Sequence, residues 1–380
     1  MAKKKGEDKE ITVYREVVDG IDREIVKLFE RRMLLTKEIS DYKVAHNIAV
    51  YDPDREKAIT DAAAAIVDDE LGGEVTLLMR TLMALGRGYQ RRLMFASEAP
   101  DFLPNPQPRK QSNVRVVYQG APGAWGEHAA VKLYPNAQID AAEYFEDVFR
   151  KIKDGEADYG VLPIENSVTG AIGETYDLLR SYGCYIVART WIDVRHCLIA
   201  KPDAQMRDVR EVYSHPEGFR QCRRFLWDKP WDLVATSNTA VAAAKAASSE
   251  GLRTAAIGSR LAAEHNGLAV LAEDIMDSEK NRTSFVVIAS HPEYDKDSDL
   301  ISFSFSAAHR SGSLCEALLP FTAAGVNLTR IESRPSASPQ TYRFFAEING
   351  NIADPKVVDT LAHAAGVTEY FEVIGCYKQV

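Results

Sequence analysis

Seven polar residues in the first quarter of the chain, Arg15, Arg32, Lys43, Asp52, Arg55, Glu56 and Gln90, are rich in positive charge and include no nucleophile. No Ser-His-Asp or Cys-His arrangement and no metal-ligand spacing accompanies them. Such a set suits a reaction that needs only positioning and stabilisation of developing charge. A pericyclic rearrangement of a dicarboxylate is one example. Two carboxylates are clamped, the reactive conformer is selected, and a donor meets the atom where negative charge develops.

The element that must carry these cations is a helix from Ile11 to Lys43. Its apolar row runs Ile11, Tyr14, Val18, Ile21, Ile25, Leu28, Leu35, Ile39 and Tyr42, at the heptad spacing that buries a helix against a partner. Arg32 stands in that row, where an unpaired buried cation costs several kcal/mol or more. Lys43 lies only about 20° around the helix from Arg32, and Arg15 about 100° off the same line. Two readings stay open for Arg32. Either it snorkels to solvent, or it marks an anion site whose counter-charge a ligand supplies. Taken alone, Asp52 reads as a helix cap ahead of Pro53, and Arg55 and Glu56 as a solvated first turn.

A second constellation lies in Asp158–Gly173, DYGVLPIENSVTGAIG. A buried strand ends at Pro163, and Glu165, Asn166 and Ser167 follow just beyond it. Open α/β sheets bind ligands outside strand C-termini, near helix N-termini that favour anions. A polar turn with a serine cap is the plainer alternative. Two further loops share this chemistry, Gln119–Glu127 (QGAPGAWGE) and Asn281–Phe285 (NRTSF). Glycine N–H groups in the first would hold a carboxylate, and Thr283 in the second would hydrogen-bond a leaving hydroxyl. His215 reads as structural.

The chain has 380 residues, enough for two or three domains. Its net charge of −9 argues against a nucleic-acid binder. No apolar run approaches the ~18 residues of a membrane span, and the charged start, MAKKKGEDKE, reads as a frayed tail and not a signal peptide. The five cysteines are scattered and free of CxxC, as expected of reduced thiols in the cytoplasm. Three helices fill the first unit, residues 1–98. The second helix, of about 15 residues, is closed by Gly72-Gly73, and the third runs Glu74–Phe95. The first is too long for the other two to cover, so an intertwined homodimer is expected. Residues 99–113 are proline-rich and read as a stiff linker. Residues 114–290 alternate strands and helices, which implies a two-lobed α/β unit with mainly parallel sheets. Residues 299–380 follow βαββαβ order, an α+β ferredoxin-like sandwich.

These residues resemble three known families in one order. The first unit resembles an all-helical chorismate mutase, on R15…R32…K43…D52xxR55-E56…Q90. The middle unit resembles a prephenate dehydratase, a periplasmic-binding-protein-like fold, on YQGAPGAWGEHAA, GVLPIENSVTG, VYSHPEGFRQC and NRTSF. The last resembles an ACT regulatory domain, on GSLC and ESRP. Together they match the bifunctional P-protein, so chorismate and prephenate are the implied substrates and phenylalanine the implied effector. No cofactor, metal, nucleic acid or membrane is implied, and the assembly is a homodimer or a tetramer built from it.

The resemblance also places roles. Arg32, Lys43, Arg55 and Gln90 would hold the chorismate carboxylates and ether oxygen. Asp52 and Glu56 would meet its hydroxyl side, and Arg15 would come from the other subunit. Glu165, Asn166, Ser167, Thr239 and Thr283 would line the dehydratase cleft, Thr283 assisting loss of the hydroxyl. Gly312, Ser313, Leu314, Cys315, Asn327, Leu328, Glu332, Ser333 and Arg334 would bind phenylalanine. Three positions depart from the family pattern: Gly86 replaces a serine, Ser284 replaces the arginine of Thr-Arg-Phe, and Gly312–Cys315 reads GSLC in place of GALV. Two other readings stay open, a dehydratase that takes arogenate and a dehydratase-like unit that only senses an aromatic acid for the mutase.

Overall fold

A computed structural model describes residues 2–95, 102–278, 280–335 and 342–380. Residues 99–101 of the expected linker lie outside the described residues. Helix α1 (Ala2–Ala45) is continuous, so the expected frayed tail is helical backbone from Ala2 onward. At 44 residues it is about 66 Å long. Helix α2 (Pro53–Ala64) is capped by Asp52, whose side chain accepts from the Arg55 amide at 3.0 Å, with proline at its first position. It ends earlier than the sequence suggests. Ile66 and Val67 are stiff at χ1 and Asp68 turns the chain into extended backbone. Gly72-Gly73 therefore opens α3 (Gly72–Phe95) instead of closing α2.

Helix α1 packs on α3 along the stretch where Thr36 and Ser40 are buried. The nine apolar residues of the row from Ile11 to Tyr42 are all exposed. This corrects the placement of Arg32. It lies beside the apolar row, on a polar stripe with Thr36, Ser40 and Lys43 that turns toward α3.

The middle unit runs β1 (Arg115–Gln119), α4 (Trp125–Leu133), β2 (Gln138–Ala142), α5 (Phe145–Lys153), β3 (Tyr159–Asn166), β4 (Gly170–Ala171), α6 (Gly173–Tyr182), β5 (Tyr185–Asp193), β6 (Cys197–Ala200), β7 (Glu211–Ser214), α7 (Pro216–Gln221), α8 (Arg223–Leu226), β8 (Asp232–Ala235), α9 (Thr239–Ser248), β9 (Thr254–Gly258), α10 (Arg260–His265), β10 (Ala269–Ala272) and β11 (Arg282–Ala289). It forms two lobes, one on strands β5-β11-β3-β1-β2 and one on β10-β6-β9-β7-β8. The chain crosses between them after β5 and returns before β11. The sheets are mixed and not mainly parallel. β1, β2 and β3 pair in parallel, as do β7, β8 and β9, each through helical crossovers. β11 re-enters antiparallel between β3 and β5, and β6 lies antiparallel to β9 and β10.

The last unit is β12 (Leu300–Ser306), α11 (Ser313–Ala324), β13 (Leu328–Pro335), β14 (Tyr342–Asn349), α12 (Pro355–Val367) and β15 (Tyr370–Tyr377), in strand order β13-β14-β12-β15. β15 meets β5 at Gly375 and Ile186, which joins both units into one ten-stranded sheet. Any Cβ at Gly375 would fall 2.4 Å from the Ile186 carbonyl oxygen, so the join requires glycine. The described part of the linker is docked, not free. Phe102 is buried and accepts from the Val373 amide at 3.1 Å, while Arg109 reaches Glu293 at 3.1 Å and Lys110 reaches Asp158 at 2.8 Å.

Helix α3 packs on α11 and α12 as well as on α1 and α2. The His363 Nε2–H donates to the Leu85 carbonyl at 3.3 Å, and its ring lies where a side chain at Gly88 would be. A Cβ there would fall 1.5 Å from His363 Cδ2. Overpacking of this kind costs about 1–3 kcal/mol. Gly88→Ala is expected to lower the denaturation midpoint and to open α3–α12 to proteolysis, whereas an unchanged midpoint would mean that the helices do not pack this closely in solution.

Candidate functional sites

The first site is built on α1, α2 and α3. Arg32 is half-buried and its Nη1 donates to the Leu82 carbonyl of α3 at 2.8 Å. Burial lowers the pKa of its guanidinium, opposed by the nearby Glu56 carboxylate. The Lys43 ammonium donates to the Ala49 and Val50 carbonyls at 3.0 and 2.8 Å, because the chain after α1 curls back over it. Among the described residues neither cation, nor Arg55 or Arg15, forms an ion pair. Gln90 is buried on the α3 face that carries Gly86, and its side-chain oxygen has no partner among the described residues. A Cβ at Gly86 would stand 3.5 Å from Arg32 Nη1 and 3.8 Å from the Thr36 hydroxyl, so the position is open and beside a hydroxyl that α1 supplies.

Glu56 is the acidic member, and its carboxylate is held by the Arg87 guanidinium. Arg87 escaped the sequence reading, although it lies on α3 one turn from Gln90. Arg55 is exposed and Asp52 serves as the α2 cap. Arg15 is not brought to the others within one chain. It lies 17 residues before Arg32 on a straight helix, about 26 Å away.

The second site lies where the chain crosses between the two lobes. The Asn166 amide oxygen accepts from the Val168 and Thr169 amides at 2.9 and 3.1 Å, which fixes the orientation of its NH₂ group. That group donates to Thr283 Oγ1 at 2.9 Å and to Asn281 Oδ1 at 3.0 Å. Because Thr283 Oγ1 accepts here, its own proton is directed elsewhere. The network continues through Asn281 Nδ2 to Gln221 Oε1 at 2.7 Å, and His196 Nε2 donates to the same oxygen at 2.9 Å. Ser167 is tied to the return crossing, donating to the Lys280 carbonyl and accepting from the Arg282 amide, both at 2.9 Å. A cavity of about 180 Å³ opens beside Val168, Gln221 and Asn281. Asn281 and Gln221 were visible as members of the NRTSF and VYSHPEGFRQC motifs, but His196 was not, and only the fold brings the three together.

Three expectations for this unit need correction. Glu165 faces away from Asn166, as neighbours on a strand must. Its carboxylate pairs with Arg330 of the last unit and with Arg189 at 3.3 Å. Thr239 begins α9 in the second lobe, against Gly218, and among the described residues no hydrogen bond joins it to the Asn166–Thr283 pair. The glycine loop is already occupied by a carboxylate of the chain, because the Gly123 amide donates to Glu127 at 2.5 Å. At Ser284 a cation is in fact present. Arg189 of β5 donates to the Ser284 hydroxyl at 2.7 Å and to both Glu347 oxygens at 2.9 and 2.8 Å. His215 caps α7 by accepting from the Glu217 amide, a structural role.

In the last unit, Gly312 takes positive φ and caps α11, followed by Ser313, Leu314 and the exposed Cys315. Asn327 precedes β13, which carries Leu328, Glu332, Ser333 and Arg334. Arg334 pairs with Asp177 of α6 at 2.6 Å, so that strand is tied to the first lobe.

His196 is almost wholly buried, and burial, only partly offset by the Gln221 hydrogen bond, lowers its pKa from 6.5. Its folded pKa therefore lies below the unfolded one. The stability this provides is complete above about pH 6.5 and is lost as pH falls toward the folded value. Wild-type melting temperature is expected to fall between pH 7.5 and 5, and His196→Gln to fall less over that window. Half-buried His128 and His363, shifted the same way, keep part of the slope. Parallel curves would show that His196 is not buried neutral.

Residues 116–293 match the prephenate dehydratase family, and residues 14–91 match chorismate mutase type II. A bifunctional chorismate mutase/prephenate dehydratase of Neisseria gonorrhoeae (strain ATCC 700825 / FA 1090) is 30% identical over 97% of both chains. An arogenate dehydratase/prephenate dehydratase of Arabidopsis thaliana is 35% identical over 72% of this chain and 71% of its own. Among solved structures, a prephenate dehydratase of Arthrobacter aurescens in complex with L-Phe is similar at TM-score 0.65 and 28% identity, over 70% of this chain and 90% of that one. A quorum-quenching acylase, GqqA, is similar at TM-score 0.66 and 28% identity, over 70% and 98%.

Proposed function

The chain belongs to the bifunctional chorismate mutase/prephenate dehydratase family, and from that premise we propose how its two sites divide the work. The helical site rearranges chorismate to prephenate. Arg32 and Lys43 bind the substrate carboxylates and the ether oxygen together with Arg55 and Gln90, while Glu56 and Asp52 meet the hydroxyl side. Arg15 completes the site from a second copy in an intertwined homodimer. What supports the dimer is the apolar row of α1, whose nine residues from Ile11 to Tyr42 are all exposed in the single chain. The free thiols and the membership in a biosynthetic family support a cytoplasmic setting.

The interlobe site converts prephenate to phenylpyruvate, carbon dioxide and water. The observation that carries this is the Thr283 hydroxyl, which accepts from Asn166 and so has its proton free for the departing hydroxyl. As carbon dioxide leaves, the C–O bond breaks, the hydroxyl takes a proton and departs as water, and the ring becomes aromatic. Asn166 and Asn281 orient Thr283, and Ser167 fixes the return strand. Thr239 faces this site from the other lobe only if the lobes close. Glu165 belongs to the contact with the last unit.

The last unit has the strand order of a ferredoxin-like fold and is read as an ACT domain through which phenylalanine inhibits. Gly312 to Cys315 and the start of β13 form its effector site. Arogenate remains the competing substrate, since a dehydratase that acts on either is among the relatives.

Purified protein is expected to convert chorismate and prephenate, with a higher kcat/KM for prephenate than for arogenate. Thr283→Ala is expected to keep chorismate turnover and to lose about 100-fold or more in prephenate turnover, the size of effect seen when one oriented donor is removed. A Thr283→Ala enzyme with unchanged prephenate turnover would overturn the assignment, and a higher kcat/KM for arogenate would change the substrate.

A further inference from the structure

Arg87 belongs to neither substrate set, yet it touches both the helical site and the last unit. It lies on α3 and is 5% exposed. Its Nη1 donates to Glu56. Its Nη2 donates to Glu316 of α11 at 2.9 Å, and Glu316 is also 5% exposed. Glu316 in turn accepts from Arg310 at 2.7 Å. Four charges therefore alternate in one line, Glu56, Arg87, Glu316, Arg310. The Tyr51 ring lies under the Arg87 guanidinium, 5.2 Å from its centroid, and the Tyr51 hydroxyl interacts with Arg310. Tyr51 directly follows the Ala49 and Val50 carbonyls that hold the Lys43 ammonium.

A buried guanidinium shared by two carboxylates is sensitive to the loss of either one. Its planar fork fixes both directions at once. Neutralising Glu316 leaves Arg87 with one full partner and changes the geometry it imposes on Glu56. Space for such a shift exists, because a cavity of about 550 Å³ is bounded by Tyr51, Arg87, Arg91, Arg310 and Glu369. Glu316 also follows immediately after Gly312–Cys315 on the first turn of α11.

We propose that Arg87 is a positioning residue for the helical site, and that Glu316 of the last unit sets where Arg87 holds Glu56. Movement of the first turn of α11 then reaches the helical site through two side chains. This rests on Glu56 acting in chorismate turnover.

The test is a double-mutant cycle in the full-length chain with Glu316→Gln, Glu56→Gln and the pair. Glu316→Gln is expected to lower chorismate kcat/KM about tenfold, the range of one charged hydrogen bond. It should shift kcat and KM in the same directions as Glu56→Gln and leave prephenate kcat/KM unchanged. The double variant should be no slower than Glu56→Gln alone, because the two residues act in series. If Glu316→Gln also loses prephenate turnover it has misfolded, and Arg310→Gln, which loosens Glu316 and leaves it charged, takes its place with the same expectations. Unchanged chorismate kinetics, or a loss that adds in full to that of Glu56→Gln, would overturn the proposal. A fully active Glu56→Gln enzyme would instead remove Glu56 from the helical site.

Discussion

Arg32 and Lys43 are held by backbone carbonyls and by no carboxylate among the described residues. Carbonyl dipoles fix a cation in place without cancelling its charge. Around α1 and α3 this leaves a field with positive excess, balanced in part by Glu56. At an effective dielectric constant of about 20, an anion 4 Å from one such cation gains about 4 kcal/mol. A small dianion that meets both is bound and oriented by the same groups, which is the requirement of a reaction with no covalent step. Gln90 adds a buried amide whose oxygen has no partner among the described residues.

The three units are not beads on a string. β15 extends the first lobe's sheet through the Gly375 contact, and one hydrophobic core runs from Val148 and Leu162 to Phe345, Ile374 and Tyr377. Arg189 binds Ser284, Glu347 and Glu165 together, so a strand of the interlobe site and the last unit share one buried ionic cluster. Helix α3 does the same on the other side through Gly88, His363 and Arg87. Both sites therefore rest against the last unit, and a change of its packing reaches each by a short route.

The helical first unit, the two-lobed α/β unit after it and most strand positions were legible because hydrophobic period and turn residues are local properties. The same reading singled out Arg32, Lys43 and Gln90, which lie on the helical unit, and Asn166 and Thr283, which meet at the interlobe crossing. Facing was less legible. Arg32 was placed within the apolar row because a 20° error on a helical wheel is enough to move a residue to the neighbouring stripe. Glu165 was grouped with Asn166 because sequence adjacency hides strand alternation. Ser284 looked like a lost cation because Arg189 lies 95 residues away in sequence and reaches it only across a strand pair. Arg87 was missed for the same reason, since its partners lie 31 and 229 residues off. The antiparallel return of β11 depends on a crossing between lobes that no local pattern records.

The positive charge at residue 32 is proposed to serve an anionic ligand, its half-buried guanidinium being held by one carbonyl and no carboxylate among the described residues. Arg32→Leu tests it most directly, with chorismate turnover, prephenate turnover and denaturation midpoint measured on one preparation. The expected result is a midpoint equal to or above that of the parent, since an apolar side chain replaces a desolvated cation. Prephenate turnover should be intact, and chorismate turnover reduced about 100-fold or more. A stable variant that still rearranges chorismate at the parental rate would contradict the claim.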